Sequence, residues 1–112
     1  MYVGGELIDS TDGSEKIIQC PANNNSIAQL SWANKKDAEN ALEAAKLGFK
    51  TWSKLSLDER KVWMKKFKNT VINNEKLLRK AIIYEMGKTY EGSKEDIDSL
   101  TSSLDFYPDA ME

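Results

Sequence analysis

The sequence predicts an α+β fold, in which a short antiparallel β-meander over residues 1–33 is followed by three to four α-helices over residues 34–112. Near the start, runs of β-prone residues alternate with clusters of turn-forming residues, which is typical of strands joined by hairpins. From residue 34 onward, apolar residues recur at intervals of three and four, as in amphipathic helices. The 112 residues suit one small domain, and no repeat or linker divides them, so we expect a single structural unit.

The meander is predicted from three β-prone runs, at residues 2–8, 15–20 and 27–32. Residues 9–14 have the composition of a turn, so the first two runs are expected to form a hairpin. Residues 21–26 form a second turn cluster, after which the third run returns beside the second. A sheet of this size is marginal alone, so it is expected to pack on the helices or to pair with strands from elsewhere.

The first helix is predicted to begin after Asn34, a good N-cap residue, and to run to about Leu55. Asp37 stands in its first turn, where the helix dipole favours a carboxylate. The apolar stripe of this helix begins with small side chains and ends in two large aromatic ones: Ala38, Ala41, Leu42, Ala45, Phe49 and Trp52. Such a stripe needs a second surface to pack against.

Two further helices follow. Ser56 and Glu59 have the spacing of a capping box for the second, whose buried stripe is predicted to contain Trp63, Phe67 and Val71, flanked by Met64 and Ile72. Residues 73–74 are expected to break or kink this helix. The third stripe contains Leu77, Leu78, Ala81, Ile82 and Met86, and Gly87 is predicted to cap the helix at its C-terminus.

A fourth helix is predicted after Thr89, which has the character of an N-cap. Its apolar positions are Ile97, Leu100, Leu104, Tyr107 and Met111. Pro108 interrupts this pattern, because its ring clashes with the preceding turn and it lacks an N–H. The helix is therefore expected to kink near Leu104 or to end around Tyr107.

Composition excludes several functions. The net charge of −2 creates no field that would attract nucleic acid, and no run is apolar and long enough for a membrane span or a signal peptide, so we expect a cytoplasmic protein without nucleic-acid or membrane partners. The chain has no histidine and one cysteine, which removes the commonest general base and metal ligand. Most catalytic constellations are therefore excluded.

Some residues invite a functional interpretation, and a structural one is favoured for each. Cys20 lacks a neighbour that would stabilise a thiolate, so it is expected to be a semi-buried structural thiol. Gly87, within residues 85–88, and the pair Gly4-Gly5 lack the glycine spacing and strand-to-helix context of a phosphate loop, and are interpreted as a helix stop and as a turn or bulge. Four carboxylates are spaced to share one helix surface: Glu91, Glu95, Asp96 and Asp98. They are interpreted as a solvated acidic face, and a metal site is the less favoured alternative.

A structural role is also favoured for the three tryptophans and for one arginine. Trp32, Trp52 and Trp63 could stack on a base or ligand ring, but two of them stand in helical apolar stripes, where core packing is favoured. Arg60 stands on the first turn of a helix, where the dipole disfavours a cation, so it is expected to pair with a carboxylate or carbonyl of another element.

The order and spacing of many residues resemble the N-terminal part of the aldehyde dehydrogenase superfamily. The similarity lies in Gly4-Gly5-Glu6, Pro21-Ala22-Asn23 before Ile27-Ala28, then Ala41, Ala44-Ala45, Phe49, Trp52, Ser56 and Arg60, and finally Glu85-Met86-Gly87-Lys88 with Glu91. The form Glu-Met-Gly-Lys looks most like the semialdehyde-oxidising branches. Pro108 departs from the small residue usual after the aromatic pair Phe106-Tyr107.

The resemblance implies that these residues are part of the α/β nucleotide-binding domain of a larger enzyme that oxidises aldehydes with NAD or NADP. In that family the nucleophilic cysteine, the general-base glutamate, the oxyanion-holding asparagine and the nucleotide loop all lie beyond the equivalent of Glu112. Neither Cys20 nor Glu85 matches those motifs, so we predict no catalytic, cofactor-binding or metal-binding residues in this chain. The resemblance therefore implies an oligomeric, NAD(P)-dependent parent enzyme to which this chain contributes scaffold only.

Our hypothesis is an inactive N-terminal fragment or truncated product of such an enzyme, whose partner is the remainder of the dehydrogenase chain. Its uncovered apolar surface is expected to favour self-association. One rival hypothesis is a free-standing helical interaction module without enzymatic activity, whose stripes would have to pack on one another. A second is an intact small enzyme of another type, which the missing histidine and the unactivated Cys20 disfavour.

Overall fold

The computed structural model describes residues 1–110, which divide into two compact units. The first unit contains residues 1–19 and 26–55, and the second contains residues 20–25 and the chain from residue 56 onward. The elements within the described residues are β1 (Tyr2–Val3), β2 (Glu6–Leu7), β3 (Glu15–Gln19), β4 (Ser26–Ser31), α1 (Lys35–Trp52), α2 (Leu57–Asn73), α3 (Glu75–Met86) and α4 (Tyr90–Asp109). The predicted α+β class, with strands before helices, is confirmed, whereas the expectation of a single structural unit stays a prediction.

The strands of the first unit form two separate antiparallel pairs, β1 with β2 and β3 with β4. The predicted pairing of residues 15–20 with residues 27–32 is confirmed, with Ile17 opposite Gln29. The predicted hairpin between residues 2–8 and 15–20 is wrong. Gly4 and Gly5 both have positive φ, 62° and 94°, which allows a tight hairpin turn, so residues 2–7 pair with themselves.

Helix α1 begins as predicted at the N-cap Asn34, whose side chain accepts a hydrogen bond from the backbone N–H of Asp37. It ends at Trp52 and not at Leu55. The next helix requires an extended N-cap at Ser56, with ψ of 166°, so the intervening residues form a turn in which the N–H of Leu55 bonds to the carbonyl of Trp52 at 3.2 Å.

Three helices make up most of the second unit. The predicted capping box of Ser56 and Glu59 begins α2, and hydrogen bonding, chiefly from the backbone N–H of Ser56, lowers the pKa of the Glu59 carboxyl. The predicted break at residues 73–74 is confirmed, since Asn74 separates α2 from α3. Gly87 ends α3 in the left-handed conformation, with φ of 68°, as expected for a C-terminal cap.

Helix α4 begins after its predicted N-cap, Thr89, and continues through Pro108 to Asp109. The helix thus ends two residues later than the predicted end around Tyr107, and the alternative of a kink near Leu104 stays a prediction. Pro108 stands in the last turn, where the missing N–H removes a single helical bond, and the N–H of Ala110 still bonds to the carbonyl of Phe106 at 3.0 Å. The predicted apolar position Met111 lies outside the described residues.

The core is smaller than the stripes predict. Among the described residues, the buried apolar side chains are Cys20, Val71, Ile97, Leu104 and Pro108. The predicted burial of Trp63 and Phe67 is wrong, because both are about half exposed, at 52% and 51%. Trp32, Leu77, Met86 and Tyr107 are exposed as well. Helical periodicity identifies the apolar face of a helix, but whether that face is covered depends on neighbouring elements.

None of the helices in residues 1–110 combines the length and the apolar run that crossing a bilayer requires.

Candidate functional site

One face of α1 exposes large apolar side chains to solvent. Leu42, Phe49 and Trp52 stand seven and three residues apart, so they share one side of the helix, which we call the α1 apolar face. Phe49 is 67% exposed and Trp52 is 41% exposed. The prediction that Trp52 packs in a core is wrong, since the residues that the structure describes leave much of its ring in solvent. Contiguous exposed apolar side chains of this size are typical of interaction surfaces.

A second apolar surface lies on α2, in the other unit. Trp63 and Phe67 are one helical turn apart, and Val62 beside them is also exposed. The ammonium group of Lys66 lies 4.4 Å from the centre of the Trp63 ring, so it covers part of one ring face by a cation–π contact. This side of α2 therefore combines aromatic area with positive charge.

A cleft of about 600 Å³ lies along α3, next to the end of α2 and the start of α4. We call it the α3–α4 cleft. Its lining includes apolar and aromatic side chains, two lysines and a buried arginine: Ile72, Ile83, Tyr84, Tyr90, Lys76, Lys80 and Arg79. Its volume falls within the range of small-molecule sites, which is about 300–1,000 Å³.

Arg79 forms the floor of this cleft and joins α3 to α4. It is only 8% exposed. Its Nε donates to Ser93 Oγ at 3.2 Å, Nη1 donates to Glu75 at 3.1 Å, and Nη2 donates to the carbonyl of Tyr90 at 2.9 Å. The guanidinium also lies 3.9 Å from the centre of the Tyr90 ring. A buried charge needs such a set of partners, so Arg79 is a structural connection between the two helices.

A second polar cluster surrounds Asp37 in the first unit. Asp37 is buried, and its carboxylate accepts hydrogen bonds from the backbone N–H of Asn34 at 2.9 Å, the backbone N–H of Thr11 at 3.1 Å and the hydroxyl of Ser10 at 3.0 Å. These bonds, with the Asn34 N–H first, hold the pKa of the Asp37 carboxyl below its ordinary value, although burial opposes the shift. The cluster ties the loop of residues 9–14 to the start of α1.

Acid is expected to weaken this connection. Because the folded-state pKa of Asp37 is below the unfolded value, its contribution to stability is fully present above about pH 4 and is lost as the pH falls through the folded pKa. We expect Asp37→Asn to be less stable than the native chain near neutral pH, and the difference in unfolding free energy to shrink on acidification. Urea unfolding followed by circular dichroism at a series of pH values would measure this, and a pH-independent difference would contradict it.

Three other residues singled out from the sequence, Cys20, Asp96 and Asp98, are buried or paired with a lysine. Cys20 is a free thiol and is 5% exposed, which agrees with the predicted burial. Of the acidic set on α4, Asp96 accepts two bonds from Lys88 at 2.7 Å, and Asp98 accepts two from Lys94 at 2.7 Å. The part of the chain that the structure describes contains no group of three or more Cys, Asp and Glu side chains arranged to hold a metal ion.

Two residues with many partners, Arg79 and Ser93, were missed by sequence reasoning. Ser93 is 0% exposed, and its hydroxyl donates to the carbonyl of Tyr90 at 2.7 Å. The signal available was a charged residue, Arg79, standing among the apolar positions of a helix, which indicates a buried ion with partners elsewhere. Arg60, which was singled out, is half-buried at the start of α2, and its pairing with a carboxylate or carbonyl of another element stays a prediction.

Comparisons with known proteins agree with the resemblance seen in the sequence. A family model described as the aldehyde dehydrogenase family matches residues 8–112. Malonate-semialdehyde dehydrogenase 2 of a Bacillus cereus strain is 35% identical over 89 residues, which are 80% of this chain and 18% of that protein. Malonate-semialdehyde dehydrogenase of Halalkalibacterium halodurans is 25% identical over 105 residues, 94% of this chain and 22% of the relative.

Solved structures are similar over nearly the whole chain. A point mutant of betaine aldehyde dehydrogenase from Staphylococcus aureus, in complex with NAD+, superposes with a TM-score of 0.91 at 25% identity, over 97% of this chain and 23% of that one. Succinate-semialdehyde dehydrogenase from Burkholderia pseudomallei shares the fold, with a TM-score of 0.91 at 22% identity, over 96% of this chain and 22% of that one. The chain thus spans about a fifth of the length of the proteins it matches.

Proposed function

Because this chain belongs to the aldehyde dehydrogenase family, we propose that it is an N-terminal scaffold segment of an NAD(P)-dependent aldehyde dehydrogenase and is catalytically inactive alone. One observation carries the proposal. The family match extends over residues 8–112, yet the chain spans only 18% of the Bacillus cereus relative's length. Its partner is then the remainder of a dehydrogenase chain, and the exposed α1 apolar face is a surface suited to contact it.

The substrate class of the whole enzyme follows from the relatives. Both dehydrogenases compared by sequence above are malonate-semialdehyde dehydrogenases, which supports a semialdehyde as substrate. The Staphylococcus aureus structure contains NAD+, which supports NAD, with NADP as the alternative. The reaction expected of the family is thiolate attack on the aldehyde, hydride transfer to the nucleotide and hydrolysis of the thioester. None of the residues described in this chain is assigned a role in those steps.

The described residues do not fit a nucleotide site. A dinucleotide site has a glycine-rich loop between a strand and the following helix. Within residues 1–110 the connection of this kind is residues 32–34, between β4 and α1, and it contains no glycine. The N-terminus of α1, where a pyrophosphate would bind in a dinucleotide site, already holds the Asp37 carboxylate against the N–H of Asn34. A second anion at that position would be repelled by Asp37.

We therefore expect no saturable binding of NAD or NADP to this chain at concentrations up to about 1 mM, the upper end of the usual range for enzyme substrates. Titration calorimetry would measure this, with betaine aldehyde dehydrogenase from Staphylococcus aureus, which was solved in complex with NAD+, as a positive control for the assay. Saturable binding of either nucleotide, or aldehyde-dependent formation of NADH by the chain alone, would contradict the proposed inactivity.

The uncovered apolar surface predicts concentration-dependent self-association of the isolated chain. Static light scattering over a concentration series would measure the average mass. Replacing Phe49 and Trp52 together by glutamine should reduce the association, because the two side chains form the most bulky part of the α1 apolar face. Leu7→Gln is a suitable control, since Leu7 is 84% exposed on β2. A compact monomer that unfolds cooperatively would instead favour the free-standing interaction module.

A further inference from the structure

We infer that the α3–α4 cleft binds a small anionic ligand that carries a planar aromatic ring. This binding site is separate from the proposed scaffold function and uses none of the residues of the α1 apolar face. The inference follows from the shape of the cleft, from its aromatic walls and from two lysines whose charge is not balanced nearby within residues 1–110.

The walls suit a flat apolar group. Ile72 and Ile83 line the cleft together with the rings of Tyr84 and Tyr90. The stacking of Arg79 on Tyr90, at 3.9 Å, holds that ring in one orientation, because Arg79 is itself bonded to Ser93 and Glu75. A ring of fixed orientation beside apolar side chains provides a surface on which an aromatic ligand can stack at a small entropic cost.

The charge in the cleft suits an anion. Lys76 and Lys80 are four residues apart on α3, so they lie on the same side of the helix, where two like charges repel each other. Among the residues that the structure describes, no carboxylate lies in ion-pair distance of either ammonium group. The nearby carboxylate of Glu75 is bonded to Arg79. A bound carboxylate or phosphate would therefore relieve the repulsion between the lysines.

Lys80 places a positive charge next to an aromatic wall of the cleft. Its Nζ lies 5.8 Å from the centre of the Tyr84 ring, so one small molecule can contact the ring and the ammonium group together. The charge of Arg79 is already paired with the Glu75 carboxylate, and Arg79 also donates to Ser93 and to the carbonyl of Tyr90, so we assign the anion to the lysines. The anion is held by the two lysines, and the ring of the ligand packs against the tyrosines and isoleucines.

Nuclear magnetic resonance titration of the ¹⁵N-labelled chain tests this inference. The probes are benzoate and phenyl phosphate, which share an aromatic ring and differ in the anionic group. Two control compounds each lack one feature: benzyl alcohol has the ring without a charge, and inorganic phosphate has the charge without a ring. We expect saturable shifts of the amides of Ile83, Tyr84 and Tyr90 with at least one of the two aromatic anions. The stronger of the two identifies the natural ligand as a carboxylate or a phosphate ester.

Lys80→Gln and Lys76→Gln should each weaken that binding about threefold to fivefold, the usual size of an exposed charge pair. Lys65→Gln is the matched control, because Lys65 is exposed on α2, outside the cleft, and loses the same charge. Glutamine is a good helix former, so these variants should remain folded. Absence of saturable shifts, equal binding of benzyl alcohol or inorganic phosphate, or equal weakening by Lys65→Gln would overturn the inference.

Discussion

Replacing Arg79 by alanine is expected to lower the free energy of unfolding by about 2–3 kcal/mol, the range for loss of a buried, charged hydrogen-bonding group. The guanidinium donates to Glu75, to Ser93 and to the carbonyl of Tyr90, and it stacks on the Tyr90 ring. Removing it deletes the polar connection between α3 and α4 and leaves a cavity at the floor of the cleft. Urea unfolding followed by circular dichroism would measure the change.

Lys80→Ala is the matched control for Arg79→Ala. Lys80 is the next residue on α3 and is exposed, so its loss should change the unfolding free energy by less than about 0.5 kcal/mol. Arg79→Lys should restore only part of the stability, because an ammonium group cannot reproduce the planar arrangement of donors. Equal effects of Arg79→Ala and Lys80→Ala would mean that the buried connection contributes nothing to stability.

Gly87→Ala is expected to destabilise the chain by about 2–4 kcal/mol, since two penalties act at one position. Gly87 has φ of 68°, a left-handed conformation that costs a residue with a Cβ about 1–2 kcal/mol. In addition, a Cβ at this position would lie 2.8 Å from Cγ of Pro21, which is closer than van der Waals contact. Thermal and urea unfolding of the variant would measure the combined effect.

Gly13→Ala separates the two penalties. Gly13 has φ of 73°, but a Cβ there would have no atom within 4 Å, so the variant carries the backbone strain without the contact. We expect Gly13→Ala to lower the free energy of unfolding by only about 1–2 kcal/mol. Adding Pro21→Ala to Gly87→Ala should recover part of the difference, because the pair interacts directly. If Gly87→Ala lowers the free energy of unfolding by no more than Gly13→Ala does, the contact with Pro21 is ruled out as a cause.

Local signals in the sequence were sufficient to place the beginnings of α1, α2 and α4. Asn34, Ser56 and Thr89 each accept a hydrogen bond from a backbone N–H of the helix that they begin, as their positions predicted. Gly87 ends α3 for an equally local reason, its tolerance of positive φ. Caps depend on residues within four positions of each other, so one segment contains all the information needed.

Long-range contacts were not predictable in the same way. The bonds of Asp37 to Ser10 and Thr11 and of Arg79 to Ser93 join residues 14 to 27 positions apart, and no spacing rule relates such residues. The exposure of Trp63 and Phe67 was missed for a related reason. An apolar stripe in the sequence shows which side of a helix is apolar. Whether that side is buried depends on the other elements that pack against it.

By itself, the sequence determined the α+β class, the beginning of each long helix and membership of the aldehyde dehydrogenase family, because these depend on local spacing and on the order of motifs. The tertiary structure decided which apolar residues are buried, how Arg79 joins α3 to α4 and where a ligand cleft lies. Those properties arise only when segments distant in the chain come together, since burial and charge compensation are set by neighbours in space.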